Sequence, residues 1–231
     1  MLMKWEDLPE EMKTDGARPY YDILVKKRAS LIIKRIFDFV ISLLMLCLLS
    51  PVFLVLAILI KLDSKGPVFY RQVRVTTGSR DFRIYKFRTM VQNADKIGSL
   101  VTAGNDARIT KIGSKIRKCR LDELPQLLNV IKGEMSFVGT RPEVRKYVEA
   151  YDDEMRATLL MPAGITSLAS INFKDEDVIM DRYLDQGMSA DTAYIKYVLP
   201  EKMKYNLEYM KTFSFWDDVK LMIKTFIKVL T

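Results

Sequence analysis

The dominant feature of the hydrophobic pattern is a run from Ile36 to Ile60, almost unbroken by polar residues. It is long enough to cross a bilayer core of about 30 Å. It is not a secretory signal, because it starts too far from the N-terminus, is too long and lacks a small-residue cleavage site. Ser50 and Pro51 stand in its middle. Pro51 has no N–H to give to the carbonyl of Cys47 and its ring crowds that turn, so a kink is expected there. The Ser50 hydroxyl can satisfy backbone groups that the break frees. Basic residues flank both ends: Lys26, Lys27, Arg28, Lys34 and Arg35 before, Lys61, Lys65, Arg71 and Arg74 after. Positive flanks stay on the cytoplasmic side, which a spanning helix satisfies at one end and a hairpin returning to the same face satisfies at both. These residues alone leave a kinked span and a re-entrant hairpin open. Asp38 lies within a turn of Lys34 and Arg35, and pairing with them at headgroup depth is expected.

Around this run the pattern divides the chain. Residues 1–19 are polar and read as a loosely ordered arm. Residues 20–60 are helical in period. Residues 61–199 carry the mixed patterning of a globular α/β-type domain, and 200–231 return to a basic, helical pattern. In this tail Ser214 and Asp217 resemble a capping box. Phe215, Val219, Met222, Phe226 and Leu230 form an apolar stripe beside a second stripe of Lys220, Lys224 and Lys228. Such a helix suits a membrane surface, or equally a packing face on the domain.

Composition narrows the chemistry. The 231 residues contain no histidine, which removes histidine bases, Ser-His-Asp and Cys-His nucleophiles and HExxH zinc sites together. Cys47 sits in the apolar run and Cys119 in a basic stretch, so no disulfide is expected and a reducing compartment fits. A net charge of +8 suits an anionic partner.

One stretch can supply chemistry on carboxylates. In Arg117-Lys118-Cys119-Arg120-Leu121-Asp122-Glu123-Leu124-Pro125-Gln126-Leu127-Leu128-Asn129-Val130-Ile131-Lys132-Gly133, the leucines and Ile131 recur at helical spacing. Pro125 suits a first turn and Gly133 a C-terminal cap. Asp122 and Glu123 thus fall at a helix start, where acidic residues often serve only as caps. The basic residues around them favour more. Arg117, Lys118 and Arg120 lie upstream, and Gly139-Thr140-Arg141-Pro142-Glu143 follows. A carboxylate is a competent nucleophile toward phosphorus once arginines and a hard divalent ion such as Mg²⁺ offset the charges.

Several ordered blocks resemble the bacterial sugar transferases, the monotopic phosphoglycosyl transferases. They are KLDSKGPVFYRQVR (Lys61 to Arg74), KFRTM (Lys86 to Met90), Asp106 to Gly113, and LDELPQLLNVIKGEMSFVGTRPE (Leu121 to Glu143). The resemblance implies an α/β-type, mostly helical domain on a re-entrant membrane hairpin broken at Ser50-Pro51, with amphipathic surface helices. It implies an Asp122-Glu123 dyad that also binds Mg²⁺. Asp122 would attack the β-phosphorus of a UDP-sugar, release UMP, and pass the sugar phosphate to undecaprenyl phosphate, which initiates bacterial glycoconjugate assembly. Arg117 and Arg141, with Lys86, Arg88 and Lys174, form the implied substrate-binding set. Membrane phospholipids are the implied surroundings, on the cytoplasmic face of a bacterial inner membrane, and a homodimer is compatible with this.

Two blocks depart from the family pattern. In Pro162 to Lys174 an alanine precedes the glycine, Leu168 replaces a tryptophan, and Lys174 stands for a final arginine, keeping charge but losing the bidentate fork. Thr76 and Thr77 separate Val75 from Gly78, which reshapes that turn. A nucleic-acid-binding module would explain the charge but lacks any recognition motif, so no nucleic-acid partner is expected. A non-catalytic membrane scaffold, with the dyad as a helix cap, is the other alternative.

Overall fold

The computed structural model describes residues 2–94, 107–173 and 176–230. The chain is mostly helical with two small sheets. Helices α1 (Arg18–Lys26), α2 (Arg28–Leu48) and α3 (Ser50–Asp63) precede a hairpin of β1 (Phe69–Thr76) and β2 (Arg80–Phe87). Next come α4 (Lys111–Lys118), a 3-10 turn (Leu121–Gln126), α5 (Leu127–Lys132) and β3 (Met135–Val138). After α6 (Arg145–Val148), β4 (Ala163–Thr166) pairs in parallel with β3. The chain closes with α7 (Leu168–Asn172), α8 (Glu176–Asp185), α9 (Ala190–Ala193), a π turn (Tyr194–Val198), α10 (Leu199–Thr212) and α11 (Phe215–Leu230).

The kink falls where the proline places it. α2 ends at Leu48, α3 starts at Ser50, and the two axes are bent by 62°. Pro51 sits in the first turn of α3, where its missing N–H breaks no bond. Ser50 Oγ donates to the Cys47 carbonyl at 2.8 Å, the bond Pro51 cannot make. No single described helix is long and apolar enough to cross a membrane; the bent pair together reaches that mark by length and composition only.

The pair is two-sided. Leu44, Leu48, Leu54, Val55 and Ile58 are exposed. Lys34, Asp38 and Ser42, one helical turn apart, form a buried polar stripe on α2. The expected Lys34–Asp38 ion pair is present, though long, and Asp38 has a shorter partner on another element. Its carboxylate accepts from Ser136 Oγ of β3 at 2.7 Å, while Lys34 lies 4.0 Å away and gives its short bond, 2.6 Å, to Asp218 of α11. Arg35 turns instead to α5, donating to the carbonyls of Val130 at 2.6 Å and Ile131 at 2.8 Å. The ordinary attraction within a helix turn loses to longer-range partners, because burial leaves these charges no water.

The N-terminal arm is packed, not loose. Short 3-10 turns cover Trp5–Asp7 and Glu10–Met12, and Leu8, Met12 and Ala17 are buried. Arg18 stacks over Trp5 at 4.7 Å, and Thr14 Oγ1 donates to the Asp153 carbonyl. The polar composition concealed widely spaced apolar anchors. In the tail, α11 turns Asp218 and Thr225 toward the domain, the latter meeting Thr166, and leaves Trp216, Ile223, Phe226 and Ile227 exposed. It serves as both a packing helix and an apolar surface.

Candidate active site

The hairpin and α5 are locked together by one buried side chain. Asn129 Oδ1 accepts from the Tyr85 N–H at 2.9 Å; its Nδ2 donates to the Arg83 carbonyl at 2.9 Å and to Glu134 at 2.7 Å. It occupies the free edge of β2 as a strand partner would. The opposite end of α5 closes at Gly133, whose φ of 79° favours glycine and which faces the Arg35 guanidinium. The helix that follows the dyad is therefore held at both ends.

Asp122 and Glu123 lie one turn before α5, in the 3-10 stretch entered through Arg120 at φ 54°. Pro125 is inside that stretch, and tight 3-10 geometry there replaces the regular helix start that the sequence suggested. Asp122 is buried, yet no side chain among the described residues hydrogen-bonds its carboxylate. It does not act as the cap of α5, whose N-cap is Gln126. Glu123 pairs with Lys86 of β2 at 3.3 Å. Alternation along β2 turns Ile84 and Lys86 to the same side as the dyad.

Arg74 of β1, Lys86, Glu123, Gln126 and Arg141 line a cleft whose rim includes Gly164 and Ile165. A side chain at Gly164 would place its Cβ 2.3 Å from the Gly139 amide, so the close approach of β3 to β4 requires glycine there. The cleft holds about 30 Å³ of space open to the centre of a water-sized sphere, more than a single water requires on that measure.

Electrostatics divide the two carboxylates. Burial, then the adjacent Glu123 charge, push the Asp122 carboxyl above its ordinary value, against the pull of Lys86 and Arg117. Burial pushes Glu123 the same way, but Lys86, Arg141 and Arg120 outweigh it and hold that carboxyl low. Burial lowers Lys86 despite Glu123. Burial would also lower Arg141, but Glu123, Glu143 and Glu176 keep its guanidinium above the usual value. Pairs driven apart in this way are the arrangement that separates two roles at one site.

The expected residues do not all converge. Glu123, Lys86 and Arg141 line the cleft; Asp122 is not in that lining but is near enough for the charges of Glu123, Lys86 and Arg117 to act on it. Arg88 does not converge. It is buried against the end of α3, donating to the carbonyls of Lys65 at 3.0 Å and Ser64 at 2.7 Å, so its fork closes a helix rather than facing substrate. Lys174 and Asp106 lie outside the described residues. Arg74 was named only as a membrane flank, and its place in the cleft carried no sequence signal beyond the block that contains it.

No cluster of three or more metal-ligating side chains stands among the described residues. The dyad nonetheless fits a hard cation of the Mg²⁺ type, which takes one or two carboxylates and completes its shell from phosphate and water.

Comparison with known proteins sets this geometry in context. Residues 29–231 match the family described as bacterial sugar transferase. The UDP-N-acetylgalactosamine-undecaprenyl-phosphate N-acetylgalactosaminephosphotransferase of Aeromonas hydrophila is 39% identical over 202 residues, covering 86% of this chain and 44% of that protein. The UDP-glucose:undecaprenyl-phosphate glucose-1-phosphate transferase of Escherichia coli is 34% identical over 223 residues, 95% of this chain and 44% of that one. A putative undecaprenyl-phosphate N-acetylgalactosaminyl 1-phosphate transferase of Bacillus subtilis is 43% identical over 125 residues, 54% of this chain and 70% of its own length. The chain thus spans less than half the length of the first two.

Proposed function

The chain belongs to the bacterial sugar transferase family, and from that premise we propose that it transfers a sugar-1-phosphate from a UDP-sugar to undecaprenyl phosphate through Asp122. The observation that carries the reading is the divided dyad: a buried Asp122 that no side chain among the described residues hydrogen-bonds, beside a Glu123 held by Lys86. A carboxylate whose pKa is raised is the stronger nucleophile once ionised. One Asp122 oxygen attacks the β-phosphorus, and the bond from that phosphorus to the bridging oxygen breaks. UMP leaves with the bridging oxygen. An oxygen of the lipid phosphate then attacks the same phosphorus, freeing the carboxylate and leaving a sugar diphosphate on the lipid.

Lys86, Arg141, Arg74 and Arg117 would bind and orient the diphosphate over the narrow cleft, and they lower the cost of bringing an anion to a carboxylate. Asp122 and Glu123 would hold a Mg²⁺ ion, which when bound offsets pyrophosphate charge. α2 and α3 would dip into the cytoplasmic leaflet and return, their exposed leucines among acyl chains, with the exposed face of α11 at the interface.

The test is UMP release from a panel of UDP-sugars with undecaprenyl phosphate and Mg²⁺. Asp122→Asn, nearly isosteric, should abolish release and also the exchange of labelled UMP into UDP-sugar that the wild type performs without lipid. Turnover well above background in that variant would refute the nucleophile assignment.

A further inference from the structure

A third carboxylate, next to the cleft residue Pro142, has no part in the chemistry above. Glu143 is buried, and three elements converge on it. Tyr194 of the π turn donates to its Oε1 at 2.6 Å, Lys202 of α10 lies 3.6 Å from the same oxygen, and Arg74 of β1 lies 3.9 Å from Oε2. Tyr194 also accepts from Lys202 at 2.8 Å, and Lys202 reaches Glu176 at 3.2 Å. Tyr147 stacks on the Tyr194 ring with centroids 4.4 Å apart, fixing its direction.

The backbone around Glu143 is held as firmly. Val75 N–H donates to the Glu143 carbonyl at 2.9 Å, and Arg74 donates to the Pro142 carbonyl at 3.2 Å. Arg141, the next residue upstream, makes no hydrogen bond or ion pair among the described residues, although it lines the cleft opposite Glu123. Arg141 feels the charges of Glu123, Glu143 and Glu176 but makes no direct bond to Glu143, whose oxygens are taken by Tyr194, Lys202 and Arg74; a direct pair between the two would remove positive charge from the cleft.

We propose that Tyr194 and Lys202 are positioning residues: by occupying Glu143 they hold the Arg141-Pro142-Glu143 segment on β1 and leave the Arg141 guanidinium free for the diphosphate of the donor. The inference rests on the reading of the dyad as a phosphosugar transfer site. It couples the C-terminal helices, which supply no residue to the cleft lining, to donor binding.

Tyr194→Phe removes the short hydrogen bond with little change in shape, and Lys202→Met removes the charge. The loss of a hydrogen bond to a buried charged group corresponds to about tenfold or more in binding. Each variant is therefore expected to raise KM for the UDP-sugar and the dissociation constant of UDP, read by calorimetry, about tenfold. The kcat and the KM for undecaprenyl phosphate should stay near wild type, and Lys202→Arg should recover most of the donor affinity. Unchanged UDP affinity in both variants, with the wild type active, overturns the proposal. So does a parallel fall in kcat, both KM values and melting temperature, which is the mark of a merely structural contact. A wild type that binds UDP but releases UMP from no UDP-sugar overturns the transfer reading instead, and the calorimetry still decides whether Tyr194 and Lys202 serve the diphosphate.

Discussion

Asn129→Ala and Asn129→Asp together test whether the dyad depends on a single buried amide. Alanine removes three hydrogen bonds, to Tyr85 N–H, the Arg83 carbonyl and Glu134. At about 1 kcal/mol net for each, and more where a partner stays buried and unpaired, the loss comes to about 3–5 kcal/mol. For a chain of this size that corresponds to a melting temperature roughly 10 °C lower. Aspartate keeps the acceptor for Tyr85 N–H but sets a carboxylate against the Arg83 carbonyl and Glu134, so at neutral pH it should be worse than alanine. The sign of the pH effect follows. The folded state raises the pKa of the new carboxylate, binds more protons than the unfolded chain, and regains stability as pH falls. Thermal unfolding in nanodiscs across a pH series reads both effects. An Asn129→Asp protein as stable as wild type at neutral pH, or a deficit independent of pH, would refute this account of the amide.

Two further outcomes are expected. Lys86→Met removes the largest attraction holding Glu123 ionised and one that opposes the rise at Asp122; both carboxyls then titrate higher, so the acid limb of the pH profile of kcat/KM should move to higher pH, and an unmoved limb would remove Lys86 from the dyad. Single cysteines replacing the exposed Lys26 and Lys65, in a Cys47→Ser, Cys119→Ser background, should both resist an impermeant thiol reagent in intact spheroplasts and both label after lysis, whereas labelling of one from outside would mean that α2 and α3 span the membrane.

The sequence carried the parts of the site that depend on neighbours along the chain. The dyad, its basic surroundings and the break at Ser50-Pro51 are all local. What escaped is long-range. Asn129 reads as one more position in a helical period, and only the fold brings β2 to its amide. Tyr194 and Lys202 lie in a stretch rich in tyrosine and methionine whose apolar character suggests core, which is largely what it is. Arg88 stands one residue beyond Phe87 in a basic block, and nothing local tells an arginine that closes a helix from one that binds phosphate. For Asp38 the partner nearest in sequence, Lys34, is there at 4.0 Å, and what escaped is the shorter bond from Ser136 on β3.

These long-range contacts also connect the apolar helices to the chemistry. Arg35 grips the last carbonyls of α5, Asp38 holds β3, and Lys34 holds α11, all from one side of α2. α5 in turn continues directly from the 3-10 turn carrying Asp122 and Glu123. In the re-entrant reading, the depth of α2 in the leaflet is thus transmitted to the dyad through a few buried bonds, with no flexible linker between. A tether alone would have no use for a buried polar stripe on the helix, since removing the charges of Lys34 and Asp38 from water is costly unless geometry is the return. On the proposed function, a soluble donor would meet a lipid phosphate at Asp122, which would then have to stand at the height of the headgroups; α2 would be the element that fixes that height, with its exposed leucines toward lipid and its buried polar side on the domain.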